Sequence, residues 1–315
     1  MPIPVDIDNY ATAEVASQVD RFVGLGAVVN EWVHFRRPTA LDQQTVIRMN
    51  RDTLYSLAVV DIGDGATLTV PDSGGRYLTV MVINEDGYLN RVFHAAGDHP
   101  LTVDEFDTGF VLLVARTLAD PTDADDIAEA NRLQDGLVVA ASSARSWETG
   151  RFDEASYQAV RKPLLALGAA GIHDSTRTFG SKDQVDRVRF LIGSAGGFGG
   201  LPETEAYYVI RADPQPVGRY RLTVEDVPVD AFWSISVYNR DGYFDPNDYD
   251  SYSVNSVTAT SDADGRVTVT FGPEPDGADN FLYVTEGWNY VARMYRPRPE
   301  VLDGTWVFPE PEPLA

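Results

Sequence analysis

A short run of the chain, residues 48–56, brings a guanidinium, an amide and a carboxylate into a segment with the composition of a β-strand. If this run is a strand, alternation sends Arg48, Asn50 and Asp52 to the same face. That set could bind a small polar substrate, with Arg48 and Asn50 holding it and Asp52 moving a proton. The alternative is an Arg–Asp network with a structural role, and the sequence leaves both readings open.

Arg51 and Tyr55 fall on the opposite face of the same predicted strand. Arg51 is a candidate for substrate binding, and Tyr55 is a candidate catalytic group because its hydroxyl can both donate and accept a hydrogen bond. In the structural alternative, the Tyr55 hydroxyl tethers a corner of the fold.

A second run, residues 230–238, alternates small hydroxyls with large apolar side chains. One predicted face holds Ser234, Ser236 and Tyr238, where a planar or sugar-like ligand could stack. The other face begins with Trp233 and fits a sandwich core. Trp233 and Tyr238 are nevertheless both candidates for substrate binding, and the polar face fits a groove as well as it fits solvent.

The histidines offer one local cluster, His94 and His99 with Asp98 between them. Gly97 and Pro100 argue against a helix here, so the spacing does not make the two-histidine zinc motif of a helix. We therefore expect no metal site. His94 remains a candidate general base because imidazole titrates near neutral pH.

Both runs resemble signatures of bacterial families. The run Asn50–Ser56 resembles the domain-of-unknown-function family 1254, and Asp230–Tyr238, with the segments 262–265 and 293–297, resembles the partner family 1214. The resemblance covers roughly residues 10–118 and 203–309, in the usual order of the two domains. It implies a two-domain protein and supplies no reaction.

Composition limits the classes of partner. The chain has 315 residues, no cysteine and a net charge of −23, so disulfides and cysteine-based metal sites are excluded and nucleic acid is disfavoured. No apolar run approaches the ~18 to 20 residues that span a bilayer. We expect no membrane partner and, without a recognisable secretory signal, a cytoplasmic location. Arginine far outnumbers the two lysines, Lys162 and Lys182, which fits either a saline habitat or a GC-rich genome.

The periodicity predicts a mainly β protein. Apolar spacing of three and four predicts an amphipathic helix over 11–35. Short strands separated by Gly and Asp turns predict an antiparallel sandwich or barrel. We predict an N-terminal helix plus β-sandwich over 1–120. A helical connector over 121–200, with a kink or break at Pro163 and a glycine-rich hinge at 193–200, joins it to a jelly-roll-like β-sandwich over 201–315.

These features predict an enzyme acting on a small molecule, by hydrolysis or another proton transfer and without a redox cofactor, in a cleft between two β-domains. The sequence lacks the GxSxG elbow of the α/β-hydrolases, although a triad of scattered residues stays open. The alternative is a non-catalytic β module that binds carbohydrate or assembles into oligomers. It would present exposed Trp and Tyr on a flat face, and a homo-oligomer stays open in either case.

Overall fold

The structure is a computed structural model that describes residues 2–44, 47–148, 150–172, 174–275 and 277–314. The chain divides into two compact units. Unit 1 consists of Met1–Arg37, Thr53–Ile172 and Thr176–Pro202, and unit 2 consists of Pro38–Asp52, His173–Ser175 and Glu203–Ala315. Unit 2 therefore takes a segment from the N-terminal half of the chain, which we call segment 38–52.

The described residues of unit 1 form the helices α1 Tyr10–Gly24, α2 Val103–Phe106, α3 Ala124–Asp135, α4 Glu154–Ala169 and α5 Arg187–Gly197. Its strands are β1 Val33–His34, β2 Thr53–Asp61, β3 Ala66–Val70, β4 Leu78–Asn84, β5 Leu89–Phe93, β6 Gly97–Leu101, β7 Phe110–Leu118 and β8 Val138–Ala141. Unit 2 contains β9 Ala206–Gln215, β10 Tyr220–Val224, β11 Trp233–Tyr238, β12 Ser253–Asn255, β13 Val267–Gly272, β14 Phe281–Tyr283, β15 Trp288–Tyr295 and β16 Glu312–Pro313, with helix α6 Pro299–Leu302 and the 3-10 turn Leu41–Gln43. The protein is mainly β, as predicted.

Unit 1 is a β-sandwich with helices attached. A five-stranded sheet in the order β1-β2-β7-β4-β5 and a three-stranded sheet in the order β6-β3-β8 are both antiparallel throughout. Their inward side chains, such as Val60, Leu68, Val80 and Leu113, form one buried core. Alternation along each strand produces this core because successive residues point to opposite faces.

Helices α1, α4 and α5 of unit 1 share a second apolar core. It encloses a buried carboxylate, Glu14, which is 1% exposed. The hydroxyls of Tyr10 and Tyr157 donate hydrogen bonds of 2.7 and 2.6 Å to Glu14 Oε2, and the Gln18 amide donates to Oε1. Because both oxygens are occupied, this cluster stabilises the helices rather than offering a site.

Several helix predictions need correction. Helix α1 ends at Gly24, not near residue 35, because a turn follows in which Gly26 adopts φ 98°. Helix α4 continues through Pro163 without a break. The glycine-rich stretch predicted as a hinge is helical up to Gly197, and at Gly193 a Cβ would lie 2.4 Å from Thr178, so glycine permits a close approach. None of the helices described has the length and apolar character that crossing a bilayer requires.

Unit 2 is a second sandwich. One sheet has the order β12-β11-β15-β9 and the other β14-β13-β10-β16, with β13 and β14 parallel and all other neighbours antiparallel. Trp233, Ile235 and Val237 point into the core between the two sheets. The serines of β11 consequently lie on the outer face of their sheet, which confirms the predicted division of this strand into two faces.

Segment 38–52 covers that outer face. Its Leu41 and Met49 contact a small apolar cluster centred on Tyr238 and Phe244. Around this cluster the covered face is polar, because Ser234, Ser236 and Arg293 also point towards the segment and are 0%, 0% and 4% exposed. The candidate site lies in this layer.

Candidate functional site

Asp52 is the centre of the buried polar layer. It is 1% exposed, and its Oδ2 accepts a 2.6 Å hydrogen bond from the Ser234 hydroxyl. Its Oδ1 is buried and receives no hydrogen bond of good geometry from the described residues, although the neighbouring Asn255 amide helps to lower its pKa. Oδ2 is thus held in place, whereas Oδ1 has no hydrogen bond of good geometry among the described residues, with the Asn255 side chain nearby.

The backbone that positions Asp52 is a turn. The Asn50 Oδ1 accepts a 2.9 Å hydrogen bond from the Asp52 backbone N–H, and the Asn50 amide donates to the Tyr295 hydroxyl at 3.1 Å. Arg48 has φ 51°, in the left-handed region, and its N–H donates to the Gly242 carbonyl. Asn side chains favour such local turns over strand pairing. The strand predicted for residues 48–56 is therefore wrong from Arg48 to Asp52, and β2 begins only at Thr53.

Arg293, on β15, joins the turn to the sheet. Its guanidinium donates to Ser236 Oγ at 3.0 Å, to the Tyr238 hydroxyl at 2.8 Å and to the Arg48 carbonyl at 2.8 Å. The Tyr238 hydroxyl in turn donates to the Met49 carbonyl at 2.8 Å. A buried guanidinium keeps its charge in proteins, so Arg293 is a fixed cation beneath the turn.

Asp52 and Arg48, at the two ends of the turn, have shifted pKa values. Burial raises the pKa of Asp52, and Arg293 and Ser234 offset only part of that effect. Burial also lowers the pKa of Arg48, whose Nε is buried without a hydrogen-bond partner among the described residues. Segment 38–52 thus carries an open acceptor on Asp52 and an open donor on Arg48.

Arg51 serves a different purpose. Its guanidinium donates to the Thr39 carbonyl at 2.7 Å and lies 5.3 Å from the centre of the Tyr252 ring and 5.9 Å from that of Phe244. These contacts are cation–π interactions with rings of unit 2. Arg51 therefore holds segment 38–52 against the sheet, and its assignment to substrate binding stays a prediction.

Trp233 lies away from the polar layer. It is 5% exposed, lies in the core between the sheets of unit 2 and meets the Phe308 ring edge-on. It is on the opposite face of β11 from Ser234, so it cannot contact a ligand at Asp52. Tyr238, in contrast, lies in the polar layer and is held by Arg293.

The remaining candidates, Tyr55 and His94, belong to unit 1. Tyr55 lies on β2 with the Arg116 guanidinium 5.3 Å from its ring centre. His94 follows the last residue of β5. Among the side chains that the structure describes, no three of His, Asp or Glu gather as metal ligands.

Unit 1 contains a serine–histidine contact that the sequence did not single out. The Ser56 hydroxyl lies 2.8 Å from His34 Nδ1 and accepts a 3.1 Å hydrogen bond from the Gln134 amide. Burial and the neighbouring Arg36 lower the pKa of His34, which favours the neutral imidazole. Ser56 is nevertheless fully buried, and its hydroxyl already has two protein partners, His34 and Gln134, so it lacks the unpaired atom that Asp52 has.

The residues missed in the polar layer are Arg293 and Asn255. One signal was present, because Arg293 interrupts the otherwise uncharged strand Trp288–Tyr295, whose residues are all buried. A charge at such a position implies buried partners. Nothing local indicated that those partners come from segment 38–52.

Comparisons with known proteins agree with the predicted resemblance. Residues 29–99 match the family described as Protein of unknown function (DUF1254), and residues 212–299 match Protein of unknown function (DUF1214). No curated protein matches the chain. Neither family description names a reaction.

Two solved structures share the fold. The VPA0106 protein from Vibrio parahaemolyticus is 18% identical over 98% of this chain and 98% of its own, with a TM-score of 0.76. An uncharacterized protein from Burkholderia cenocepacia is 15% identical over 92% of this chain and 83% of its own, with a TM-score of 0.51. At these identities the likeness extends to the fold alone.

Proposed function

We propose that unit 2 is the catalytic unit of an enzyme that moves a proton on a small, anionic organic molecule. Asp52 takes the proton, and Arg48 holds the anionic group. The observation that carries the proposal is the open Oδ1 of Asp52, a buried carboxylate oxygen without a hydrogen-bond partner among the described residues. Buried polar atoms in proteins are nearly always paired, so an open one fits a group that receives its donor from a ligand.

The chemistry follows from the surroundings of Asp52. Burial raises its pKa towards the pH at which an enzyme works, and a base is most effective when its pKa lies near that pH. The Ser234 hydroxyl fixes Oδ2, so Oδ1 keeps one direction. In the proposed step a proton leaves a substrate C–H or O–H, or an attacking water, for Oδ1. The electrons of the broken bond stay on the donor molecule.

The positive groups complete the site. A substrate that loses a proton gains negative charge, which a nearby cation stabilises more strongly in a dry interior than in water. Arg48 offers its open Nε for this purpose, while Arg293 is already occupied by Ser236, Tyr238 and the Arg48 carbonyl. We therefore assign substrate binding to Arg48 and positioning of the turn to Arg293.

The residues that support this proposal all belong to unit 2, so the cleft between two β-domains expected from the sequence is not needed for it. A non-catalytic carbohydrate module would expose aromatic rings on a flat face, whereas Trp233, Tyr238 and Tyr295 are buried. This favours the enzyme. A cytoplasmic location, the absence of nucleic-acid, membrane and redox-cofactor partners, and an open oligomeric state belong to the same proposal.

Proton transfer can be tested without knowing the full reaction. The whole protein is incubated in deuterium oxide with a panel of small carboxylic acids and esters that carry an acidic C–H, and proton NMR follows the loss of each C–H signal. We expect exchange of at least one compound. Asp52→Asn should slow it by roughly 10²-fold or more, because the base is lost while the shape is kept. Arg48→Gln should raise the concentration of compound that is needed.

The matched control is Asp42→Asn, which removes a carboxylate from an exposed position of the same segment. It should exchange like the wild type. The proposal is overturned if Asp52→Asn exchanges as fast as this control, or if the wild type exchanges no compound faster than buffer alone.

A further inference from the structure

Unit 2 carries an open groove that the proposed reaction does not use. It has a volume of about 650 Å³ and lies along β10 and β13. Its polar lining is formed by Arg221, Thr223, Asp262, Arg266, Thr268 and Thr270. A volume of this size suits a small ligand.

The groove lies on the outer face of its sheet because of strand register. Arg221 pairs with Thr270, and Thr223 pairs with Thr268, so these four side chains share one face. The intervening residues, such as Leu222, point into the core between the sheets. Asp52 lies outside the other sheet of the sandwich, so the groove is a separate place from the proposed catalytic site.

Arg221 carries a positive charge that no described residue pairs with. The described residues give its exposed guanidinium neither an ion pair nor a hydrogen bond. Arg266, in contrast, is neutralised by Asp262 at 3.0 Å and Asp264 at 2.6 Å. A guanidinium without a partner among the described residues is unusual inside a groove of a chain with net charge −23. It can donate a bidentate pair of hydrogen bonds to one carboxylate.

The threonines provide hydroxyls. Thr223 and Thr268 contact each other through their Oγ1 atoms at 3.1 Å. Thr270 is 7% exposed, and its Oγ1 is buried without a hydrogen-bond partner among the described residues. Burial of a hydroxyl without a partner costs free energy, so this group points to a ligand that supplies one.

We propose that this groove binds a small monoanionic, polyhydroxylated ligand, the chemistry of a sugar acid. The ligand carboxylate pairs with Arg221, and its hydroxyls exchange hydrogen bonds with Thr223, Thr268 and Thr270. A single negative charge is favoured because, among the described residues, Arg221 is the lining cation without an ion pair, whereas Arg266 has two. A polyanion would also be repelled by the remainder of this acidic chain.

Calorimetric titration of the whole protein tests the proposal with three probes: glucuronate, glucose and inorganic phosphate. Glucuronate should bind. Glucose should bind at least about tenfold more weakly, because it lacks the carboxylate that accepts a charge-assisted hydrogen bond from Arg221. Phosphate should also bind more weakly, because it has no ring hydroxyls for the threonines. Glucose or phosphate binding as tightly as glucuronate overturns the proposal, as does a lack of glucuronate binding.

Arg221→Gln and Arg298→Gln form a matched pair. Both remove one exposed arginine of unit 2, but Arg298 pairs with Asp230 and does not line the groove. Arg221→Gln should weaken glucuronate binding by about tenfold or more. Arg298→Gln should leave it unchanged. If both variants weaken glucuronate binding equally, Arg221 acts only through the net charge of the protein, and the proposed binding site is overturned.

Thr270→Val separates binding from folding. It removes a hydroxyl that has no described protein partner, so the melting temperature should stay the same or rise. Glucuronate binding should weaken by roughly two- to tenfold. A lower melting temperature with unchanged binding would show that the hydroxyl serves the fold, and the proposal would fail.

Discussion

The Ser234 hydroxyl donates a 2.6 Å hydrogen bond to Asp52, and the two residues are 182 positions apart in the chain. Ser234 belongs to β11, whereas Asp52 is the last residue of segment 38–52. The bond therefore joins two chain segments that fold into one unit. Any role of Asp52 depends on the sheet that the C-terminal part of the chain supplies.

The stability of the Asp52→Asn variant should differ from that of the wild type in its pH dependence. Burial raises the pKa of Asp52 above its ordinary value of 3.8, so the folded protein holds this proton more tightly than the unfolded chain. The resulting stabilisation is complete below pH 3.8 and is lost as the pH rises through the raised pKa. Relative to wild type, the free energy of unfolding of the variant should thus increase with pH across this window.

Urea unfolding of both proteins at a series of pH values measures this difference, and Asp42→Asn should follow the wild type. The prediction is contradicted if the free energies of unfolding of the wild type and of Asp52→Asn change in parallel with pH. A variant less stable by several kcal/mol at every pH would instead identify the Asp52 charge as the required partner of buried Arg293.

Arg51→Gln should lower the free energy of unfolding by about 1–3 kcal/mol. The variant loses the hydrogen bond to the Thr39 carbonyl and the contacts with the rings of Tyr252 and Phe244. Chemical denaturation measures the loss. Arg132→Gln, at an exposed pair with Glu129, is the control and should change stability by less than about 1 kcal/mol. Similar losses of unfolding free energy in Arg51→Gln and Arg132→Gln would refute the role of Arg51 in holding segment 38–52.

Neither half of the chain should fold when it is cut near residue 200. Residues 203–315 alone lack segment 38–52, so Arg293 and Ser234 lose the Arg48 carbonyl and the Asp52 carboxylate that satisfy them. Residues 1–200 carry that segment without its sheet, and we expect them to aggregate or unfold. Thermal unfolding followed by circular dichroism tests both fragments, and a cooperative transition in either one would count against this expectation.

Monovalent salt should stabilise the protein. Asp and Glu outnumber Lys and Arg by 48 to 25, which gives self-repulsion that counterions screen over a Debye length of ~8 Å at physiological ionic strength. The melting temperature should rise as sodium chloride increases from low to molar concentration. Calorimetric scans at fixed pH measure the melting temperature. A melting temperature that stays constant or falls with added salt would contradict the prediction.

The sequence by itself determined the strand patterns and their two faces. In β11, alternation correctly separated Trp233 and Ile235 from Ser234, because the direction of a side chain in a strand depends only on its position along that strand. The same alternation occurs in β3, Ala66–Val70, whose residues are buried and half-buried in turn. It failed at Arg48, where a left-handed residue and the Asn50 turn replace the predicted strand.

Only the tertiary structure decided what covers each face. The polar face of β11 could have met solvent or a ligand, and local sequence does not show that segment 38–52 lies over it. Arg293 gained its role in the same way, from the Arg48 carbonyl 245 positions away in the chain. Alternation and turn preference arise between near neighbours, whereas burial of a charge depends on which distant segment provides its partners.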